Sequence, residues 1–466
     1  MIIRPFALLG LAAIAYCSGG TTDRTSAIAA RTSGTPLTQT AARTSPHWRG
    51  VRVAVSDYRI VYQSDSVVRA REFDWAASHF DRVTLDKADP ISVAEYKRRN
   101  PTAWLFRYAI LWTVVQPGEE KADDEGVSYY ASMQRWFAAQ RGLELEHAFL
   151  HDGRRCPPPA PVTAACRVSF KVWTQQRWAT NPGDSGARAY HAMRLGALAG
   201  DVEGLFIDEH GSGDITDKLR GVSLREYDRW EDYERDVVAL LEASRAALGK
   251  GRVLMLNTAE YRTPWDRQMI AVAGGTHAEH MNDPVSPQME SRWRFLEDVI
   301  RDGAIVNVSP KRELPASYDP GNSPTATDRR QLWELASYYL LVSAGRPDAV
   351  AFNPGPRWDK PYAERWIGAI EKDIGRPLGA RTLAIDGTGP DGAPARVWMR
   401  DFEHAVVLAR PASDKGGFGA ESAVSIPFAT GGLYRPLRVA GTVGDPLRSL
   451  SLRAGEAAIL IKPLAP

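Results

Sequence analysis

Between residues 51 and 352, short apolar runs alternate with longer stretches whose apolar side chains recur every three or four positions. The short runs fall at 51–56, 82–85, 103–108, 202–207, 252–256, 276–278, 304–308 and 349–352. Continuous apolar runs bounded by turn residues read as strands buried on both faces, as in parallel sheets. The intervening stretches, clearest at 92–99, 187–199, 224–248, 291–301 and 329–343, read as amphipathic helices. Eight strands alternating with helices over roughly 320 residues predict an α/β chain folded as a (β/α)8 TIM barrel. Residues 111–183 are too long for a simple connection and read as an elaboration after the third strand. Beyond Leu378-Gly379 the helical period disappears. Runs at 381–385, 395–399, 405–409, 423–427, 434–439 and 457–461 follow, separated by Gly, Pro and Asp turns, and predict a small antiparallel β-sandwich. The expected division is a barrel over 47–379 and a β-sandwich over 380–466.

The first residues carry a different pattern. Arg4 precedes an eleven-residue apolar run at 6–16, too short to span a bilayer but suited to the hydrophobic region of a signal peptide. Cys17 follows directly, and Ile14-Ala15-Tyr16-Cys17 resembles a bacterial lipoprotein signal in which that cysteine is lipidated. Residues 1–17 therefore read as a signal peptide, with cleavage further on, near Ala27-Ile28-Ala29, as the alternative to lipidation at Cys17. Residues 18–46, rich in Ser, Thr, Ala, Gly and Arg, read as a flexible tether. Export to the cell envelope, periplasm or medium is the expectation, with membrane contact only through a lipid anchor at Cys17. The remaining cysteines, Cys156 and Cys166, flank a proline-rich segment and suggest one disulfide.

Charge narrows the field of partners. With 58 basic and 56 acidic residues and no polybasic run, nothing favours nucleic-acid binding. Fourteen tryptophans and sixteen tyrosines supply flat faces of the kind that stack on sugar rings.

Active sites of parallel barrels are assembled at the carboxyl ends of the strands. Strand one ends at Asp57-Tyr58, strand three at Arg107-Tyr108, and strand four at Asp208-Glu209-His210. Strand five ends at Asn257, strand six at His277-Ala278-Glu279-His280, and strand seven at Asn307. Two carboxylates among amides, an arginine and aromatics fit cleavage of a glycosidic bond, one acid protonating the leaving oxygen while the other attacks or activates water. Asp208 and Glu279 are the expected catalytic pair, with Asp208 as nucleophile or base and Glu279 as general acid. Asp57, Tyr58, Arg107, Glu209, His210, Asn257, His277 and Asn307 are expected to bind substrate, with Glu209 as the reserve acid. The plainer reading of Asp208 is a salt bridge to Arg107 beneath the barrel mouth.

The stretch from about 51 to 379 resembles bacterial hypothetical glycosyl hydrolase families with a TIM barrel, relatives of the polygalactosaminidase-like barrels. The resemblance is carried by Gly204-Leu205-Phe206-Ile207-Asp208, by Ala278-Glu279 and by the closing Ile374-Gly375-Arg376-Pro377-Leu378-Gly379. The run 400–408 resembles the opening of the β-domain that follows many such barrels. It departs from the usual glycine and asparagine-proline at His404-Ala405 and Arg410-Pro411. The resemblance implies an acid on strand four and another on strand six, hence Asp208 and Glu279, a carbohydrate substrate and no cofactor.

Two other classes compete. A metal-dependent barrel hydrolase could draw on His147, His151, His210, His277, His280 and Asp283. The first strand, however, ends Val55-Ser56-Asp57-Tyr58, with no His-x-His, and no His-Glu-x-x-His occurs. No metal site is expected. A non-catalytic polysaccharide-binding surface protein would use the same barrel mouth, and its binding would survive loss of both acids. A Gly-x-Gly-x-x-Gly after the first strand and a Gly-x-Ser-x-Gly elbow are both missing, which disfavours nucleotide and serine-hydrolase chemistry.

Overall fold

The computed structural model describes residues 50–463 except 58–59, 61–62, 86–89, 120–125, 173, 209–218, 220, 259–262, 280–288, 310–323, 355–362, 364–365, 390–391, 393, 412–421 and 429–432. Cys17, Tyr58, Glu209, His210 and His280 therefore lie outside the described residues, as does the side chain of Asp57.

Eight parallel strands form one sheet in chain order: β1 (Ala54–Asp57), β2 (Arg82–Leu85), β3 (Trp104–Ile110), β4 (Gly204–Asp208), β5 (Val253–Asn257), β6 (Gly274–Ala278), β7 (Ile305–Val308) and β8 (Val350–Phe352). A parallel bridge between Val53 and Phe352 joins the last strand to the first, and the Phe352 N–H donates to the Arg52 carbonyl at 2.8 Å. The sheet is thus a closed barrel, as the alternation of runs predicts.

Helices follow the strands: α1 (Ser66–His79), α2 (Pro90–Arg99), α3 (Ser185–Ala199), α4 (Trp230–Leu248), α5 (Pro264–Ala273), α6 (Met289–Arg301) and α7 (Pro324–Leu341). Five match the amphipathic stretches; α1 and α5 carry weaker periodicity. Helix α5 is nonetheless marked locally by a capping box, Thr263 and Asp266 each bonding the other's backbone N–H, with Pro264 at the first turn. It ends at Gly274, whose φ of 86° suits glycine and turns the chain directly into β6. Gly204 opens β4 for a steric reason, since a Cβ there would collide with the Val253 carbonyl of β5.

Side chains alternate across each strand. Trp104, Phe106, Phe206, Val253, Met255 and Ile305 meet inside the barrel, with Tyr108 at their upper edge. The opposite face of the strands, including Leu205, Ile207, Leu254 and Leu256, packs against helices through Tyr233, Val237 and Leu241 of α4. The interior is therefore filled below its upper rim.

The elaboration after β3 folds as a four-stranded sheet, Thr113–Val115, Ser128–Tyr129, Ser169–Val172 and Gln175–Ala179, beside the helix Tyr130–Ala138. Cys156 and Cys166 form a disulfide within it, their Cα atoms 5.8 Å apart. After the barrel, β9 (Thr382–Thr388), β10 (Pro394–Asp401), β11 (Ala405–Arg410), β13 (Arg435–Pro436) and β15 (Glu456–Ile461) make one antiparallel sheet, and β12 (Val424–Pro427) pairs with β14 (Ser449–Leu452) in another. Val397, Val406, Leu408 and Leu460 of the larger sheet meet Ile426 and Leu452 of the smaller, which makes a β-sandwich.

Candidate active site

The inward register continues past the apolar layer. Tyr108, Asp208, Asn257 and Glu279 stand two residues beyond Phe106, Phe206, Met255 and His277 on β3, β4, β5 and at the end of β6. Alternation brings all four to the carboxyl-end mouth. The Tyr108 hydroxyl donates to Asp208 Oδ2 at 2.9 Å. Asn257 Nδ2 donates to Asp208 Oδ1 at 3.1 Å and to Glu279 Oε2 at 2.9 Å. One side-chain amide thus joins the two carboxylates. With both oxygens bonded to one nitrogen at 3.1 Å and 2.9 Å, the two bridged carboxylate oxygens are at most 6.0 Å apart. Asp208, Asn257 and Glu279 are half-buried.

The floor beneath them is aromatic. Tyr108 stacks on Phe206 with centroids 6.0 Å apart, and His277 meets the same Phe206 ring edge-on at 5.3 Å. His277 is 5% exposed, beneath the acids and not between them.

Asn307 is 3% exposed, and its Oδ1 accepts from Arg82 Nη1 at 2.8 Å. Arg82 crosses the lower interior to reach also the carbonyls of Val306 and Ala349. Burial, with neighbouring Arg52, pulls its guanidinium down to about 10 against the opposing pull of Asp81 and other acceptors, so it stays cationic at neutral pH. The acceptor of Asn307 is committed to that cation.

Arg107 corrects the sequence-based expectation. It lies one residue out of phase with Phe106 and Tyr108, faces outward, and donates from Nη1 to the Leu198 carbonyl near the end of α3 at 2.9 Å. It neither lines the mouth nor pairs with Asp208. Tyr108 takes the place at Asp208 that the salt-bridge reading gave to Arg107. Its signal was present in Trp104-Leu105-Phe106-Arg107-Tyr108, where three aromatics share one strand face.

His151 is held in the elaboration, its Nδ1 2.6 Å from Glu226 Oε1 and its Nε2 3.0 Å from Glu146 Oε1. Among the described residues, no group of three or more His, Cys, Asp or Glu side chains is arranged to hold a metal ion.

No protein-family model and no curated protein matches the chain. Solved structures with a similar backbone course include a GH27 β-L-arabinopyranosidase from Geobacillus stearothermophilus, 10% identical, with a TM-score of 0.47, covering 91% of this chain and 99% of that one. An α-amylase from Lactobacillus plantarum is 9% identical, with a TM-score of 0.48, covering 90% and 100%. Aspergillus fumigatus Ega3 in complex with galactosamine is 9% identical, with a TM-score of 0.33, covering 66% and 93%. The barrel itself is defined by the strand pairing of this chain.

Proposed function

We propose that this chain is an exported glycoside hydrolase that cleaves glycosidic bonds in an oligo- or polysaccharide, with Asp208 as nucleophile and Glu279 as general acid. The observation that carries the reading is the pair itself: two half-buried carboxylates on neighbouring parts of a barrel mouth, joined through one amide and floored by aromatic rings. Bridged oxygens no more than 6.0 Å apart favour the covalent route of retaining enzymes, whose carboxyl groups stand about 5–5.5 Å apart, over the about 6.5–9.5 Å of inverting enzymes.

In the first step an Asp208 oxygen bonds to the anomeric carbon as the bond to the leaving oxygen breaks, and Glu279 gives its proton to that oxygen. In the second step Glu279 takes a proton from water, the water oxygen bonds to the anomeric carbon, and the bond to Asp208 breaks. Tyr108 and Asn257 each occupy one oxygen of Asp208 and fix the plane of the carboxylate.

The test is release of reducing ends from a panel of polysaccharides and aryl glycosides. Asp208→Asn and Glu279→Gln should each lower turnover on order of 10²-fold or more. Near-wild-type turnover in both variants would overturn the assignment. Binding that persists in both, with no hydrolysis by the wild type, would instead mark a binding protein. Proton NMR of the first-formed product should show the anomeric configuration of the substrate; the opposite anomer would exclude the covalent route.

A further inference from the structure

We infer that Asn257 is a positioning residue that spans the path along which negative charge moves between the two acids during the reaction. The inference rests on the glycoside-hydrolase reading above.

The geometry is specific to the amide. Nδ2 carries two hydrogens, one for each acid, and lies 3.1 Å from Asp208 Oδ1 and 2.9 Å from Glu279 Oε2. Asn257 Oδ1 is enclosed and has no hydrogen-bond partner among the described residues. The two acids therefore orient this amide with no help on its acceptor side. A reversed amide would aim its oxygen at two carboxylates, so the orientation is fixed by charge. The Asn257 backbone is set between β4 and β6, paired in register with His277, so the side chain starts midway between the acids.

Chemistry gives the bridge its use. Before the first step the negative charge is on Asp208 and the proton on Glu279. Asn257 donates to Glu279 Oε2, so the acid's proton is carried on the other oxygen, Oε1. As the covalent bond forms, Asp208 loses its charge and Glu279, having given up its proton, gains one. The total charge of the pair is unchanged; it has moved from one side of Nδ2 to the other. A hydrogen bond to an ionised acceptor is roughly twice as strong as one to a neutral group. The bond to Glu279 strengthens as the bond to Asp208 weakens, and hydrolysis of the intermediate reverses both changes. No donor has to move at either step, which is the condition for preorganised electrostatic stabilisation.

The experiment compares the full-length wild type with Asn257→Leu, similar in size without donors, and Asn257→Gln, which keeps the amide on a longer arm. The probe is whichever glycoside the wild type hydrolyses in the panel above. Asn257→Leu should lower kcat about 10²-fold, as a misplacement near 1 Å does, with KM changed less than about threefold. It should also move the acidic limb of the pH–rate profile to higher pH, since the nucleophile has lost a donor to its ionised form. Asn257→Gln should recover part of kcat. If Asn257→Leu does not fold, Asn257→Asp keeps the shape and should show a larger loss and a limb moved further. A folded variant with wild-type kcat and pH profile, while Asp208→Asn and Glu279→Gln are inactive, overturns this inference alone. If both acid variants stay active, or the wild type cleaves no glycoside, the hydrolase reading fails and carries the inference down with it.

Discussion

Asp208 sits where a strand of four fully buried residues reaches the rim of the barrel, and its two oxygens meet donors from two different strands. Tyr108 holds Oδ2 from β3, below which Phe206 supports its ring. Hydrogen bonds to charged groups contribute about 1.5–3 kcal/mol, and 1.36 kcal/mol is tenfold in rate. Tyr108→Phe keeps the stacked ring and removes only the hydroxyl, so kcat/KM should fall roughly ten- to a hundredfold at nearly unchanged melting temperature. A fall confined to melting temperature would make the hydroxyl purely structural. Placement of these residues was partly legible beforehand. Apolar runs ending in Asp208 and Asn257 located two strand ends, and the dense carboxylates located the mouth. Which neighbour faces inward needed the two-residue phase, and in β3 that phase favours Trp104, Phe106 and Tyr108 over the more conspicuous charge of Arg107.

At the scale of elements, the β4–α4 connection that leaves Asp208 is tied down at its far end by the elaboration after β3. Gly153 N–H donates to the Ser223 carbonyl, Arg225 N–H to the His151 carbonyl, and Arg225 Nη1 to the Cys156 carbonyl beside the disulfide. The His151 ring lies between Glu226 of that connection and Glu146 of the elaboration, with Arg167 donating to Glu146 from Nε at 2.9 Å. Burial opposes a charge on His151, but the hydrogen bonds and charges of Glu226 and Glu146 outweigh it and raise its pKa above the ordinary value. A raised folded-state pKa stabilises most below the unfolded value of about 6.5 and loses that contribution as pH climbs through the folded value. His151→Gln should therefore destabilise most near pH 6, at the low end of the about 3–5 kcal/mol of a broken buried pair, with the gap to wild type closing above that range. Thermal unfolding of both proteins from pH 5 to 9 measures it; a gap that is constant or widens with pH would contradict it. Little of this tie was legible in sequence. Residues 169–172 are short and only half apolar, and they form a strand by pairing with 175–179, which folds back on them. Glu226 is separated in sequence from its partner His151 by helix α3 and strand β4. Helix α1 was obscured for another reason: only Phe73, Ala76 and Ala77 of its fourteen residues are buried, too few to stand out as a stripe.

Over the whole molecule, the barrel and the β-sandwich share one continuous core. Trp293 and Val299 of α6, Leu340 of α7 and Phe352 of β8 belong to the same buried cluster as Phe402, Val407 of β11 and Ile459 of β15. The composition change near 379 carries no sign of what joins the sandwich to the barrel, because the joint is made by side chains from both sides of that boundary. At its edge Arg381 donates to Glu297 of α6 through Nε at 3.1 Å and Nη2 at 2.9 Å. The same guanidinium lies over Trp293 at 4.8 Å and Trp398 at 4.2 Å, while Arg400 reaches Glu297 at 3.5 Å. A bidentate pair clasped between two indole faces from opposite sides couples the two parts, and so does the apolar core behind it. Full-length protein should therefore unfold in a single calorimetric transition. Arg381→Ala, which leaves Glu297 with only its weaker partner and empties the space between the rings, should lower that transition by the equivalent of about 3 kcal/mol without splitting it. Two separable transitions in the wild type would show that the sandwich is only appended, and the barrel mouth would then have to hold its geometry without support from behind α6 and α7.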